Sequence, residues 1–295
     1  MTFNFCKRST ALPLLLCSLS IAPLALHAQN DGVNGPPNVL LIQREFLKPG
    51  KGGMLHEATE GAFIRELDAK NAPIHYFALN SMTGPDRALF FSGYVSFAAM
   101  EAEHKEVAKI TGLGAALDRA NVADGDLLAS TDASIWTLEP EQSNSSNLAG
   151  ARYMEISQYV IKPGHRKQWE DLVKIIKDTY AKEDPSAHWT IFSEAFGAGP
   201  GDVYLVVWPL KSLAQVDADF ANDKAFGEAL GAENRKKLSE LESDCIETEM
   251  TNLFSFSPAM SHPPEEWVKA EPDFWKHKPM AAKKPATAPA TKPAQ

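Results

Sequence analysis

Tyr153, Glu155, Ser157 and Tyr159 alternate along one largely apolar run, Arg152 to Ile161. In an extended strand that spacing places all four on one face and Met154, Ile156 and Val160 on the other. A carboxyl, a hydroxyl and two phenols facing an apolar sheet would give a pocket with a few polar anchors. Burial there would raise the Glu155 pKa toward values useful for acid–base work. Glu155, Ser157 and Tyr159 are therefore expected to face a ligand, with the apolar face turned to helices. The same groups could instead hydrogen-bond across an interface and serve packing alone.

Histidine supplies the other candidates. His75 beside Tyr76 and His188 beside Trp189 are each expected on a strand, as a base or an anchor in the same ligand site, or as satisfied structural groups. His104 falls on an apolar helical stripe and is expected to pack. His56 and His165 lie near helix starts and are expected in solvent. No two histidines have the i, i+4 spacing of a helical zinc site, so no metal is expected, and no cofactor. Gly197, Gly199 and Gly201 connect two apolar runs and read as a hairpin, since no helix follows to make a phosphate loop. No Gly-x-Ser-x-Gly elbow is present.

The elements that would carry these residues occur twice. Lys48-Pro49-Gly50 and Lys162-Pro163-Gly164 each close an apolar run, and the two prolines stand 114 residues apart. After each turn comes a helical pattern, a strand, a hairpin, a strand, further helix and a last strand. Lys167 to Tyr180 is the clearest helix, with Trp169, Leu172, Val173, Ile176 and Tyr180 on one stripe. Ser96 and Ser212 are candidate caps of the later helices. Phe97, Met100, His104 and Val107 are expected to face inward from the first, and Leu213, Val216 and Phe220 from the second. The order is β-α-β-β-α-β in each half, the ferredoxin-like arrangement, and the element-by-element match predicts a tandem duplication. Runs such as Ala88–Phe91 and Val203–Val207 are apolar on both faces, which predicts cover on both. The expected fold is thus α+β, two tandem ferredoxin-like modules packed sheet to sheet as a pseudo-dimeric α/β barrel with helices outside.

Boundaries follow from composition. Residues 1–28 have a basic start at Lys7 and Arg8, an apolar stretch shorter than the roughly 20 residues of a membrane span, and Ala28 before a cut. They read as a signal peptide, which predicts a periplasmic or secreted protein. Residues 29–38 form a flexible lead, 39–140 the first module, 141–151 a linker and 152–257 the second module. Residues 258–275, with four prolines and three aromatics, are expected to lie as an arm against the body. Residues 276–295, rich in Lys, Pro and Ala, are expected to be disordered. Cys6 and Cys17 leave with the leader, so Cys245 has no partner for a disulfide and reads as a small buried apolar residue.

The 295-residue chain carries a net charge of −9. The leader's two cations and the tail's five lysines lie outside the body, which is more acidic still. Such a body should repel nucleic acid. The tail could touch anionic envelope polymers weakly.

The stretch Glu155-Ile156-Ser157-Gln158-Tyr159-Val160-Ile161-Lys162-Pro163-Gly164 resembles the opening strand of the NIPSNAP family. There a Glu and a Tyr four residues apart precede a Lys-Pro-Gly turn. Ser157 stands where that family usually has Arg, and the first half keeps only the turn, with Leu41, Gln43 and Glu45 before it. The wider likeness is to the dimeric α/β-barrel superfamily, which includes antibiotic-biosynthesis-type monooxygenases. That resemblance implies cofactor-free oxygenases, isomerases or haem proteins, and members without assigned chemistry. The expectation is an exported protein that binds a small apolar or aromatic molecule in its barrel, as an oxygenase or isomerase. The alternatives are a non-catalytic envelope protein and a haem-binding barrel, with His75 or His188 as a haem ligand. The second half, which keeps Glu155 and Tyr159, is the expected seat of function.

Overall fold

The computed structural model describes residues 35–276 apart from 145–147, 149, 198 and 200. The leader, most of the lead and nearly all of the tail lie outside the described residues. The first half runs β1 (Val39–Leu47), α1 (Met54–Lys70), β2 (Phe77–Ser81), β3 (Arg87–Tyr94), α2 (Phe97–Ala108), α3 (Leu113–Gly125), β4 (Leu128–Leu138). The second runs β5 (Tyr153–Ile161), α4 (Arg166–Glu183), β6 (Thr190–Phe196), β7 (Asp202–Leu210), α5 (Ala214–Cys245), β8 (Ile246–Phe256). A 3₁₀ turn (Pro258–Met260), α6 (Glu265–Ala270) and α7 (Pro272–Trp275) follow.

The eight strands close into one antiparallel barrel in the order β1-β3-β2-β8-β5-β7-β6-β4. Within the halves the pairing is equivalent: β1 lies between β3 and β4, and β5 between β7 and β8. Two seams join the halves. Leu79–Ser81 of β2 meets Phe254–Phe256 of β8, and Ile135–Leu138 of β4 meets β6 through a register shift. The ladders inside the halves are longer, as between Tyr153–Ile161 of β5 and Asp202–Leu210 of β7.

The two Lys-Pro-Gly turns do the same work in each half. Gly50 and Gly164 sit at φ 76° and 84°, where a side chain would strain the backbone. Lys48 donates its backbone N–H to Leu127 O (2.9 Å) and Nζ to Asp126 O (3.0 Å). Lys162 likewise donates to Cys245 O (2.8 Å) and Ser243 O (2.7 Å). Each turn thus satisfies carbonyls at the end of the helix that feeds its half's last strand, where a cation also suits the helix dipole.

The bore is packed with apolar side chains, among them Leu40, Ile42, Leu89, Phe91, Trp136, Met154, Ile156, Leu205 and Phe254. This reverses the expected face of β5. Met154 and Ile156 point into the bore, and Glu155, Ser157 and Tyr159 point to the α4/α5 side, where Tyr159 meets the Trp169 ring at 5.0 Å. The reason is solvation. A bore closed all round offers polar tips few partners, whereas under the helices the Tyr159 hydroxyl reaches Glu249 (3.0 Å) near solvent.

In the helical layer α4 buries Trp169, Leu172 and Val173, the stripe read from its periodicity. Two other helices differ. On α2, Ser96 accepts the Ala99 N–H as a cap, but the buried residues are Ala99 and Glu103, with Phe97 43% exposed and His104 exposed. The buried Tyr94 hydroxyl donates to Glu103 (2.8 Å) on that face. On α5 the N-terminal position is taken by Leu213 without a side-chain cap, and Phe220 is 73% exposed. The helix breaks at Gly231 and packs through Leu230, Leu238 and Cys245.

The C-terminal arm lies across one end of the barrel. Trp267 and Trp275 are buried, with Phe77 4.2 Å from the Trp267 ring and 5.4 Å from the Trp275 ring. Ser257 N–H donates to Ala78 O (2.8 Å), Ala78 N–H to Ser261 Oγ (2.8 Å), and Tyr76 bridges to His262. The arm therefore extends the β2–β8 seam. Among the described residues no helix is long and apolar enough to cross a membrane.

Candidate metal centre

The seven residues singled out from the sequence separate into two groups. Glu155, Ser157, Tyr159 and Trp189 lie in the layer between the second half's strands and α4/α5. Ser157 bonds Thr251 (2.7 Å), and Trp189 donates Nε1–H to Gln142 O (3.0 Å) and stacks on Trp208 at 5.4 Å. Burial and Asp219 raise the Glu155 pKa, and burial followed by Glu249 raises that of Tyr159. His188 is exposed, just before β6. His75 and Tyr76 lie in the first half, before β2, where His75 stacks on His262 at 5.1 Å. The geometry converges on no single pocket there.

A denser site lies elsewhere, in the first half. Glu45, on the outer face of β1, points beneath α1. His56 and Glu60 stand one turn apart on α1, and Asp124 closes α3, which packs against α1. All four side chains are buried, His56 completely, and one ligand atom from each lies within 4.8 Å of the others. His56 Nε2 is 3.0 Å from Glu45 Oε2, 3.5 Å from Asp124 Oδ1 and 3.8 Å from Glu60 Oε1. Thr59 Oγ1 lies 2.6 Å from Asp124 Oδ1 and anchors that carboxylate. Tyr76, close enough for Glu60 and Glu45 to raise its pKa after burial does, forms a neighbouring wall.

These residues correct one expectation, that of His56, and bear on two others. His56 is not in solvent; the start of α1 is roofed by α3, and the ring is its innermost polar group. The absence of ligand spacing holds for histidine pairs only, since His56-x-x-x-Glu60 places two donors on one helix face. And the first half, which lacks the Glu155/Tyr159 pattern, holds the more concentrated chemistry. Glu45 and the His–Glu spacing were visible signals; Asp124, 64 residues beyond Glu60, was not.

Three carboxyls around one imidazole cannot all be charged at low cost out of water. Burial, with Glu45 and Asp124 adding repulsion, pushes the Glu60 pKa up to about 9. Its Oε1 has no hydrogen-bond partner, nor has His56 Nδ1. The Nε2 distances to Glu45 and Asp124 match those between neighbouring donors around an ion bound at about 2.0–2.2 Å, which fall near 3.0–3.5 Å, and the 3.8 Å to Glu60 would have to shorten to join them. Three oxygens and one nitrogen suit manganese, iron or zinc in the divalent state better than magnesium or calcium, which prefer oxygen alone.

The bore cavities among the described residues are small for an aromatic guest. A cavity of about 60 Å³ lies at each end. A benzene-sized guest takes about 150 Å³.

No protein-family model matches the chain, and no curated protein does. Solved structures of similar architecture do. One is a provisionally named monooxygenase from Fusobacterium nucleatum, 8% identical over 75% of this chain and 93% of its own, with a TM-score of 0.48. A second, from Lactobacillus acidophilus, is 10% identical over 74% and 93%, with a TM-score of 0.43. A chlorite dismutase variant from Candidatus Nitrospira defluvii is 10% identical over 79% and 95%, also at 0.43. Identities this low carry nothing about chemistry.

Proposed function

We propose that this protein is a metal-binding α/β barrel whose first half holds one divalent first-row cation between β1, α1 and α3. The observation that carries the reading is the unpartnered Glu60 Oε1, aimed at His56 within a buried set of four donors. Glu45, His56, Glu60 and Asp124 would be the ligands. The cation would supply positive charge where three carboxyls converge and tie one strand to two helices. Burial of every donor favours a structural ion over a catalytic one with an open position.

This reading stands closer to a non-catalytic envelope protein than to an oxygenase or isomerase acting on an aromatic molecule in the bore. The bore cavities described above are less than half the size such a guest takes. Export through the 1–28 leader belongs to the same proposal, and the mature N-terminus, read by sequencing of the secreted chain, tests it. The view of both halves as ferredoxin-like units from one duplication is supported by their equivalent strand pairing and twin lysine contacts. The NIPSNAP likeness rests on Glu155–Gly164 alone.

The test is elemental analysis of chain purified without chelator, followed by titration of the stripped protein with Mn²⁺, Fe²⁺, Zn²⁺, Mg²⁺ and Ca²⁺. One equivalent of a transition ion, lost in Glu60→Gln and Asp124→Asn, is expected. A stripped protein that takes up none of them, and whose melting temperature no ion shifts, would overturn the reading.

A further inference from the structure

The bore end away from the C-terminal arm is rimmed by polar side chains from four strands. Arg44 on β1 and Arg87 on β3 are diagonal neighbours on paired strands, since Arg87 lies opposite Phe46 and Arg44 opposite Leu89. Gln158 on β5 and Asn252 on β8 complete the rim, and Ile42 and Leu205 form part of an apolar floor.

The two guanidiniums are not equally neutralised. Arg44 pairs with Asp132 at 2.7 Å, on the neighbouring strand β4. Arg87 gives one N–H to Pro85 O (3.2 Å) and lies over the Phe254 ring at 5.0 Å. Among the described residues it forms no ion pair. Burial and the nearby Arg44 charge lower its pKa while Asp132 raises it, and at the mouth two guanidiniums stand against that one carboxylate. Ser81 Oγ accepts the Arg87 backbone N–H (3.0 Å), which holds the start of β3 in place.

From this arrangement we propose that the bore mouth binds a short-chain monocarboxylate, with the carboxylate on Arg87 and Arg44 and the alkyl end on the apolar floor. The planar guanidinium matches a carboxylate through two parallel hydrogen bonds. Gln158 and Asn252 can donate to its remaining lone pairs. The cavity of about 60 Å³ admits the short alkyl end of acetate or propionate, with the carboxylate outside it on the rim, but not a fatty acid chain. A phosphate would place its fourth oxygen against the apolar floor, where nothing donates to it. This site is separate from the proposed metal centre: Arg44 and Glu45 leave β1 on opposite faces.

Met250, 54% exposed, lies at the rim and its methyl group reports occupancy. The ¹³C-methyl signal, assigned with Met250→Leu, would be followed while acetate, propionate, acetamide, phosphate or chloride is added at constant ionic strength. Saturable shifts with acetate and propionate are expected, with no saturation by acetamide. Arg87→Met should weaken binding about tenfold or more, the usual loss for a charged hydrogen-bonded pair, and Arg87→Lys less. The Arg87→Lys protein also guards against misreading a folding defect, because it keeps the charge. Equal binding of acetamide, equal saturation by chloride or phosphate, or unchanged affinity in Arg87→Met would overturn the proposal. The titration is run on stripped and on zinc-treated protein, so that failure of the metal reading leaves its outcome readable.

Discussion

Glu60 Oε1 lies 3.8 Å from His56 Nε2, one turn along the same helix, and both side chains are shut off from solvent. A buried carboxyl oxygen with no hydrogen-bond partner among the described residues is costly unless something else occupies the space between the two groups. An ion at a hundred times its dissociation constant would add about 2.7 kcal/mol to folding stability. Thermal unfolding of stripped and reloaded protein should therefore differ by several degrees, and His56→Ala should remove the difference. Equal melting temperatures with and without ion would rule out a structural cation.

Glu103 gives the protein a pH-dependent element of its own. Burial pushes its pKa up to about 7, against the lowering effect of the Tyr94 hydroxyl. The folded state then keeps a proton that the unfolded chain releases near pH 4.5. This contribution is complete below that value and is lost as pH rises toward about 7. Glu103→Gln should flatten the fall in stability across this window. Denaturation midpoints of wild type and variant that decline in parallel from pH 4.5 to 7 would contradict the assignment.

Tyr159→Phe should be mild. The hydroxyl bonds Glu249 near solvent and lies within reach of Ser157, which also bonds Thr251, while the ring stays packed on Trp169. A loss of about 1 kcal/mol or less in urea denaturation is expected. A much larger loss would place Tyr159 in a tighter network than the one described.

Trp267→Ala should be severe. The indole is buried against Phe77 and the Trp275 ring, 5.6 Å away, at the end of the barrel. Removing a buried tryptophan costs about 3–5 kcal/mol, visible in the same denaturation measurement. A change below 1 kcal/mol would mean that the arm contributes little to closing the bore.

The sequence showed the architecture better than the site. Twin Lys-Pro-Gly turns, strand lengths and runs apolar on both faces all point to a closed barrel, because burial on two sides leaves a local trace in composition. Which face of β5 turns inward leaves none. Tyr153, Glu155, Ser157 and Tyr159 look like a pocket lining only if the bore is assumed to hold a ligand. Once it is filled by Met154, Ile156 and their neighbours, the polar set must go to the other side. The Phe97/Met100/His104/Val107 stripe held in part: Met100 and Val107 are half-buried, Val107 against the Leu67/Leu113 cluster, while Phe97 and His104 are exposed and the Tyr94 hydroxyl binds Glu103 on the buried face. His56 and Asp124 meet only after α3 folds over α1, a contact between distant segments that no periodicity reports.

The two seams are secured in the same way. Among the described residues Leu79–Ser81 of β2 and Ile135–Leu138 of β4 carry the main ladder bonds between the halves, and the arm reinforces the first seam through Ala78 and Tyr76. The segment after β4 reinforces the second: Glu139 N–H donates to Ile191 O (2.8 Å), Ile191 N–H to Ser143 Oγ (2.9 Å), and Asn144 bridges to Trp189. Each seam is thus held by the segment that follows one of its own strands, β8 or β4, so amides along Ile135–Leu138 should keep their hydrogen against deuterium as long as those beside the arm.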